Sequence, residues 1–143
     1  MRKRIERQDV IRRLVRRERI RTQRDLVDRL KSFGYVCTQA TVSRDITEMG
    51  LRKLPEGVYV LSEDLHLQRM ISDLVRGVVQ SEKLVLVKAS VGTAAGVAAA
   101  LDAAELEEVL GSIAGDDTIL VICNNEADAA SLVDNINKYR GKP

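Results

Sequence analysis

The sequence predicts an α+β protein in two parts, an N-terminal winged helix-turn-helix and a C-terminal α/β sandwich acting as an oligomerisation domain. Three observations predict it. Charge is divided unevenly: residues 1–62 carry 16 Lys and Arg against 8 Asp and Glu, whereas residues 63–143 carry 7 against 13. A basic half joined to an acidic half indicates two domains with two kinds of partner. The basic half reads as three helices and a hairpin, and the acidic half reads in the order αβαββα. The domains expected are therefore 1–62 and 63–143, and a chain of 143 residues that is 45% apolar can give each a core.

The first helix is read at 8–19, "QDVIRRLVRRER", with Ile11, Leu14 and Val15 on one face and arginines elsewhere. The second follows Thr22, a good N-cap with Asp25 three residues on. Its apolar stripe is Leu26, Val27, Leu30 and Phe33, and Gly34 stops it. The third runs from the N-cap Thr38 to Gly50, with Val42, Ile46 and Met49 facing the core. Ala40, Arg44 and Thr47 then point outward, with Thr41 and Ser43 on the flanks. Small residues beside one Arg suit a helix that enters a DNA major groove. They permit close approach, while Gln39, Ser43 and Arg44 can bond base edges or phosphates. "LRKLPEGVYVLS" reads as two strands around Pro55-Glu56-Gly57, a wing with Arg52 and Lys53 at its base near the phosphates. The rival reading of this half is a basic three-helix domain that binds protein. The charge excess and the outward face of the third helix argue against it.

In the acidic half, 65–80 reads as an amphipathic helix with Leu67, Met70, Ile71, Leu74, Val75 and Val78 inward. "KLVLVKAS" is a strand, "VGTAAGVAAALDAAEL" a helix of small residues, "EVLGSIA" and "TILVICN" strands, and "EADAASLVDNINKYR" a closing helix. Helices against one antiparallel or mixed sheet follow. The Ala-rich helix offers close backbone approach and is read as a surface for a neighbouring subunit. The alternative is that alanines are simply good helix formers.

Several function classes are excluded. No apolar run approaches the roughly 20 residues of a membrane span, and the charged start "MRKRIERQDV" has no apolar core behind it. Cys37 and Cys123 lack metal-ligand spacing and read as reduced thiols of a cytoplasmic protein. His66 is the only histidine, which argues against a His-based metal site or triad. No catalytic residue, metal or cofactor is expected.

One stretch, "SIAGDDTILVI" (112–122), sets two carboxylates, Asp116 and Asp117, between apolar flanks. Like charges repel, and carboxylates near apolar surface lose hydration unless a cation compensates. Asp102 lies near the end of the Ala-rich helix, where the dipole disfavours an anion. Together the three hint at a shared cation. A Mg²⁺-dependent enzyme is the rival reading of the pair. It lacks a phosphate-cradling Gly loop, a second acidic cluster and a nearby histidine.

"TQATVSRDI" (38–46) resembles the recognition-helix signature of the bacterial arginine repressor family. "LGSIAGDDTILVIC" (110–123) resembles its effector-site signature, with Ser112 where Thr is common, and "TQRDLVDRLKSFGY" (22–35) resembles its second helix. The resemblance covers nearly the whole chain in order. It implies a cytoplasmic, arginine-responsive regulator of arginine biosynthesis and catabolism genes that binds palindromic operators in double-stranded DNA. It further implies a homohexamer of two stacked trimers, with L-arginine as co-repressor at the trimer–trimer interface. Asp116 and Asp117 would then meet the guanidinium or α-ammonium group, and Asp102 falls where the family has an acidic ligand contact. One departure stands out. Where the family reads "PGNAQ" or "PGAAQ", residues 91–95 read "VGTAA", so Val91 replaces Pro and Ala95 replaces a Gln. One lost polar contact costs about 0.5–1.5 kcal/mol. A regulator of the same architecture that answers to another cationic amino acid, or to no ligand, is the alternative.

Overall fold

The first helix, α1 (Arg2–Arg17), begins well before the apolar pattern of the sequence does. In this computed structural model, which describes residues 2–141, the extra turns are basic and mostly exposed. Arg2 pairs with Glu6 along the helix surface, and Arg7 reaches Asp45. The chain divides between Ser62 and Glu63 into two units.

In the first unit, α2 (Gln23–Ser32) and α3 (Gln39–Met49) start as their caps predict. The Thr22 hydroxyl accepts from the Asp25 amide at 3.0 Å, and the Thr38 hydroxyl accepts from the Thr41 amide at 3.2 Å. Gly50 closes α3 in the left-handed region, at φ 68°, a conformation that costs a residue with a Cβ. The wing follows as β1 (Leu51–Lys53) and β2 (Tyr59–Leu61), antiparallel, with Leu51 opposite Leu61. Ile11, Leu14, Val15, Leu26, Leu30, Val42, Met49, Leu51 and Leu61 form one core. Phe33 is not part of the buried stripe. It is the residue that caps α2, 53% exposed, with the Arg29 guanidinium 5.5 Å over its ring.

The second unit corrects one element. The helix read at 65–80 ends early: α4 is Ser62–Leu74, and Val75–Ser81 is a strand, β3. Leu67, Ile71, Leu74, Val75 and Val78 satisfy helical spacing, but Val75, Val78 and Val79 are β-branched and Gly77 is a poor helix former. Pairing with β4 (Leu84–Ala89) decides the outcome. After β4 come α5 (Ala94–Ala104), β5 (Val109–Ala114), β6 (Thr118–Cys123) and α6 (Glu126–Tyr139). The sheet is antiparallel throughout, in the order β3-β4-β6-β5.

Both α5 and α6 cover the same face. Val85, Val87, Ile119, Val121 and Cys123 point into a core completed by Val97 and Leu101 of α5 and Leu132 and Ile136 of α6. The alanines of α5 are split between two environments: Ala94, Ala98, Ala100 and Ala104 are buried in this core, whereas Ala95, Ala99 and Ala103 are exposed. Much of the small-residue character of α5 therefore serves its own sheet.

The opposite face of the sheet is apolar and is not covered by the described helices of its own unit. Register sets Val79, Leu86, Leu120 and Ile113 opposite one another in a row across all four strands. Val79 is 60% exposed and Ile113 67% exposed, at the two edges. Leu84 and Ile122 form a second, shorter row.

Candidate functional site

The outer face of α3 stands clear of the core as spacing predicts. Gln39, Ser43, Arg44 and Thr47 are exposed and Thr41 is half-buried. Two of the five are committed locally. The Thr41 hydroxyl lies 3.1 Å from that of Thr38 at the cap, and the Thr47 hydroxyl donates to the Ser43 carbonyl at 3.2 Å. Thr41 and Thr47 therefore offer mainly methyl surface, whereas among the described residues no hydrogen bond engages the side chains of Gln39, Ser43 and Arg44. Arg52 and Lys53 are exposed on β1, with the Lys53 ammonium 5.4 Å over the Tyr59 ring.

Sequence reasoning missed what holds α3. Asp45 is buried at 1% exposure. The Arg7 guanidinium forks onto its carboxylate, with Nη2 donating to Oδ1 at 2.9 Å and Nε donating to Oδ2. Gln8 Nε2 donates to the same Oδ1 at 3.0 Å. Spacing held the signal, because Asp45 is three residues after Val42 and four before Met49, on the inward side.

Burial alone would raise the Asp45 carboxyl, but the hydrogen bonds from Arg7 and Gln8 outweigh it and hold the group below the ordinary carboxylate range. A carboxyl depressed in the folded state lends stability above its unfolded value and loses it as pH falls through the folded one. The first unit is therefore expected to lose thermal stability below about pH 4. An Asp45→Asn variant should be less stable near neutrality and flatter in that range. Melts across pH check this, and equal acid slopes for the two proteins would refute it.

The carboxylate pair caps the turn between β5 and β6. The turn packs against the loop before α5 through the backbone. Ala89 N–H donates to the Asp117 carbonyl at 2.8 Å and Ala94 N–H to the Asp116 carbonyl at 3.1 Å. Both side chains are exposed, and each has one local partner. Asp116 Oδ2 accepts from the Gly92 amide at 3.2 Å, and Asp117 Oδ1 accepts from the Thr118 hydroxyl at 2.9 Å. That hydroxyl in turn accepts from Lys88 Nζ at 2.9 Å, so a cation does stand one group away from Asp117. Among the described residues, the second oxygen of each carboxylate has no hydrogen-bond partner.

Asp102 is not brought to this pair within the chain. Its carboxylate accepts from the Ser112 hydroxyl at 3.2 Å, towards the far end of α5. From Ala94 to Asp102 the helix rises about 12 Å. Ala95 and Val91 are exposed beside the Gly92 turn.

Burial pushes the thiols of both Cys37 and Cys123 up, which disfavours the reactive thiolate. Among the described residues, no group of three His, Cys, Asp or Glu side chains is placed to hold a metal ion, and no helix is long and apolar enough to cross a membrane.

Two family models match the chain. The one described as "Arginine repressor, DNA binding domain" covers residues 1–67, and "Arginine repressor, C-terminal domain" covers residues 71–138. Curated relatives named arginine repressor align over most of their length. That of Thermus thermophilus is 44% identical over 140 residues, 90% of this chain and 85% of the relative. That of Carboxydothermus hydrogenoformans is 40% identical over 146 residues, 94% and 97% of the two. That of Shouchella clausii is 43% identical over 128 residues, 82% and 86%.

Proposed function

Since the chain belongs to the arginine repressor family, we propose that it is a DNA-binding transcriptional repressor of arginine biosynthesis and catabolism genes, with L-arginine as its co-repressor. The observation that carries the DNA half of this reading is the exposed face of α3. Gln39, Ser43 and Arg44 present side-chain polar groups that no hydrogen bond engages among the described residues, from a unit with a net basic charge. A guanidinium pairs bidentately with guanine, and the surrounding phosphates attract the basic unit. Arg52 and Lys53 serve phosphates beside the reading helix. The chain works in the cytoplasm, where the DNA is.

The effector half rests on Asp116 and Asp117. Each keeps one carboxylate oxygen without a partner, on a turn fixed by backbone bonds. A guanidinium or ammonium group suits them. Asp102 lies about 12 Å along α5 from Ala94, at the other end of the helix from this turn, and that placement fits a ligand held between subunits.

Self-association is supported by the bare sheet face. A row of Val79, Leu86, Leu120 and Ile113 across four strands is an apolar surface of the kind that covers itself with another copy. The proposed assembly is a homohexamer built as a dimer of trimers. Carboxylates at both ends of the row, Val79→Asp with Ile113→Asp, are expected to reduce the full chain to monomers at micromolar concentration. Both positions are exposed, so circular dichroism should be unchanged. Sedimentation velocity checks this, and an unaltered sedimentation coefficient would exclude the face as an interface.

The test of the whole reading is selection of a palindromic duplex from a random library, followed by binding titrations with and without L-arginine. Arginine should tighten binding to the enriched duplex. Absence of any enriched sequence would refute the DNA reading. Enrichment without an arginine effect would refute the effector reading alone. Ala95, which offers no polar group beside the Gly92 turn, favours a second reading in which another cationic amino acid such as ornithine is the effector. An ornithine arm in the same titration separates the two.

A further inference from the structure

Asp45 is the only polar residue buried among the described residues, and the residues that hold it come from the first turns of α1. Arg7 and Gln8 lie a turn ahead of Ile11, the first core residue of α1. Their bonds converge on the inward side of α3 between Val42 and Met49. The same Gln8 amide donates to Glu48 Oε2 at 2.9 Å, and Arg4 lies 3.7 Å from Glu48. The Arg7 side chain is 15% exposed, so its charge is spent inside the unit and does not serve as a phosphate contact.

A buried ion pair is a poor device for stability. Loss of hydration offsets the attraction, and an apolar pair of similar volume often holds a fold as well or better. What the pair adds is direction. A forked guanidinium meets a carboxylate in one plane and one orientation, whereas apolar contacts between helices tolerate repacking. The pair joins α1 to the residue next to Arg44. A small roll of α3 about its axis would leave the core buried and yet move the Arg44 guanidinium off a base edge.

Resting on the DNA-reading function proposed above, we infer that Arg7, Gln8 and Asp45 are positioning residues that fix the roll of α3 and thereby the aim of Arg44. The network sets selectivity between sequences and contributes little to the affinity for DNA in general. Phosphate contacts tolerate a small roll because they carry no sequence information.

The test uses the full chain, with the duplex that the wild type enriches from a random library and a scrambled duplex of equal length. In the paired variant Arg7→Met with Asp45→Leu, the ratio of the two affinities is expected to fall about tenfold, the size of one good base contact. Affinity for the scrambled duplex, its salt dependence and the thermal midpoint should stay level, or the midpoint should rise. A merely structural role predicts the reverse, a lower midpoint with both duplexes weakened together, and that result overturns the inference. Should the paired variant fail to fold, Gln8→Ala decides. It leaves the ion pair in place and should lower the same ratio by a smaller factor, and an unchanged ratio overturns the inference. A wild type that enriches no sequence refutes the DNA reading and this inference with it. A wild type that enriches one, beside a paired variant with an unchanged ratio, overturns this inference alone.

Discussion

Replacing Arg44 by alanine is expected to abolish selective operator binding while leaving the fold intact. Arg44 is exposed on α3 and has no hydrogen-bond or ion-pair partner among the described residues. Its removal therefore costs the folded unit little, and alanine is the better helix former. In the complex the loss is large, because a good bidentate contact to guanine gives about 1–3 kcal/mol of discrimination. The loss repeats in every subunit that touches DNA, so two half-sites double it. Binding to the enriched and scrambled duplexes, with thermal melts alongside, measures it. A variant with wild-type selectivity would move the reading role elsewhere on the unit.

The second large effect concerns the carboxylate pair. Asp116→Asn and Asp117→Asn, made separately, are each expected to abolish the arginine-dependent tightening of assembly and DNA binding. The structure says why folding should survive. The oxygens that accept from the Gly92 amide and the Thr118 hydroxyl can be replaced by an amide oxygen. What is lost is the negative charge that the proposed cationic ligand would meet. Asp116 and Asp117 are exposed in the single chain; with the ligand enclosed between subunits, removing one partner of such a hydrogen-bonded charge pair costs about 2–5 kcal/mol in binding, roughly 30-fold or more. Ala95→Gln, which adds a polar group beside the Gly92 turn, should bind arginine at least as well as the wild type. Calorimetric titration of the three variants ranks them. Wild-type arginine affinity in both Asp variants would leave the pair as turn residues only.

Much of this was legible in the sequence because short-range chemistry governs it. Thr22 and Thr38 cap their helices with bonds to the third residue on, and Gly50 closes α3 in the left-handed region. Short apolar, β-branched runs at 84–89 and 118–123 mark strands, and in the fold their alternate residues are buried against the helices. What was not legible depends on partners distant in sequence. Val75–Ser81 has helical spacing and becomes a strand only because β4 is there to pair with it. The first turns of α1 carry Ile5 as their only apolar side chain, and it is exposed. Their order comes from Arg7 meeting Asp45, 38 residues away. The carboxylate pair looked uncompensated because neither the Gly92 amide nor Lys88 is near it in sequence. Composition alone marks the Ala-rich helix as a surface for a neighbour, yet several of its alanines lie in the core, and an apolar sheet face is assembled from four separate segments.

Helix α3 divides two duties between two sides. Val42, Asp45 and Met49 anchor it, while Gln39, Ser43, Arg44 and Thr47 face outward. With α3 in the reading role proposed above, a lineage carrying this arrangement can change which operators it recognises through single replacements on the outer side. Each intermediate still folds, since none of those side chains carries the anchoring load. Regulatory targets can then diverge in small viable steps, with the scaffold inherited unchanged.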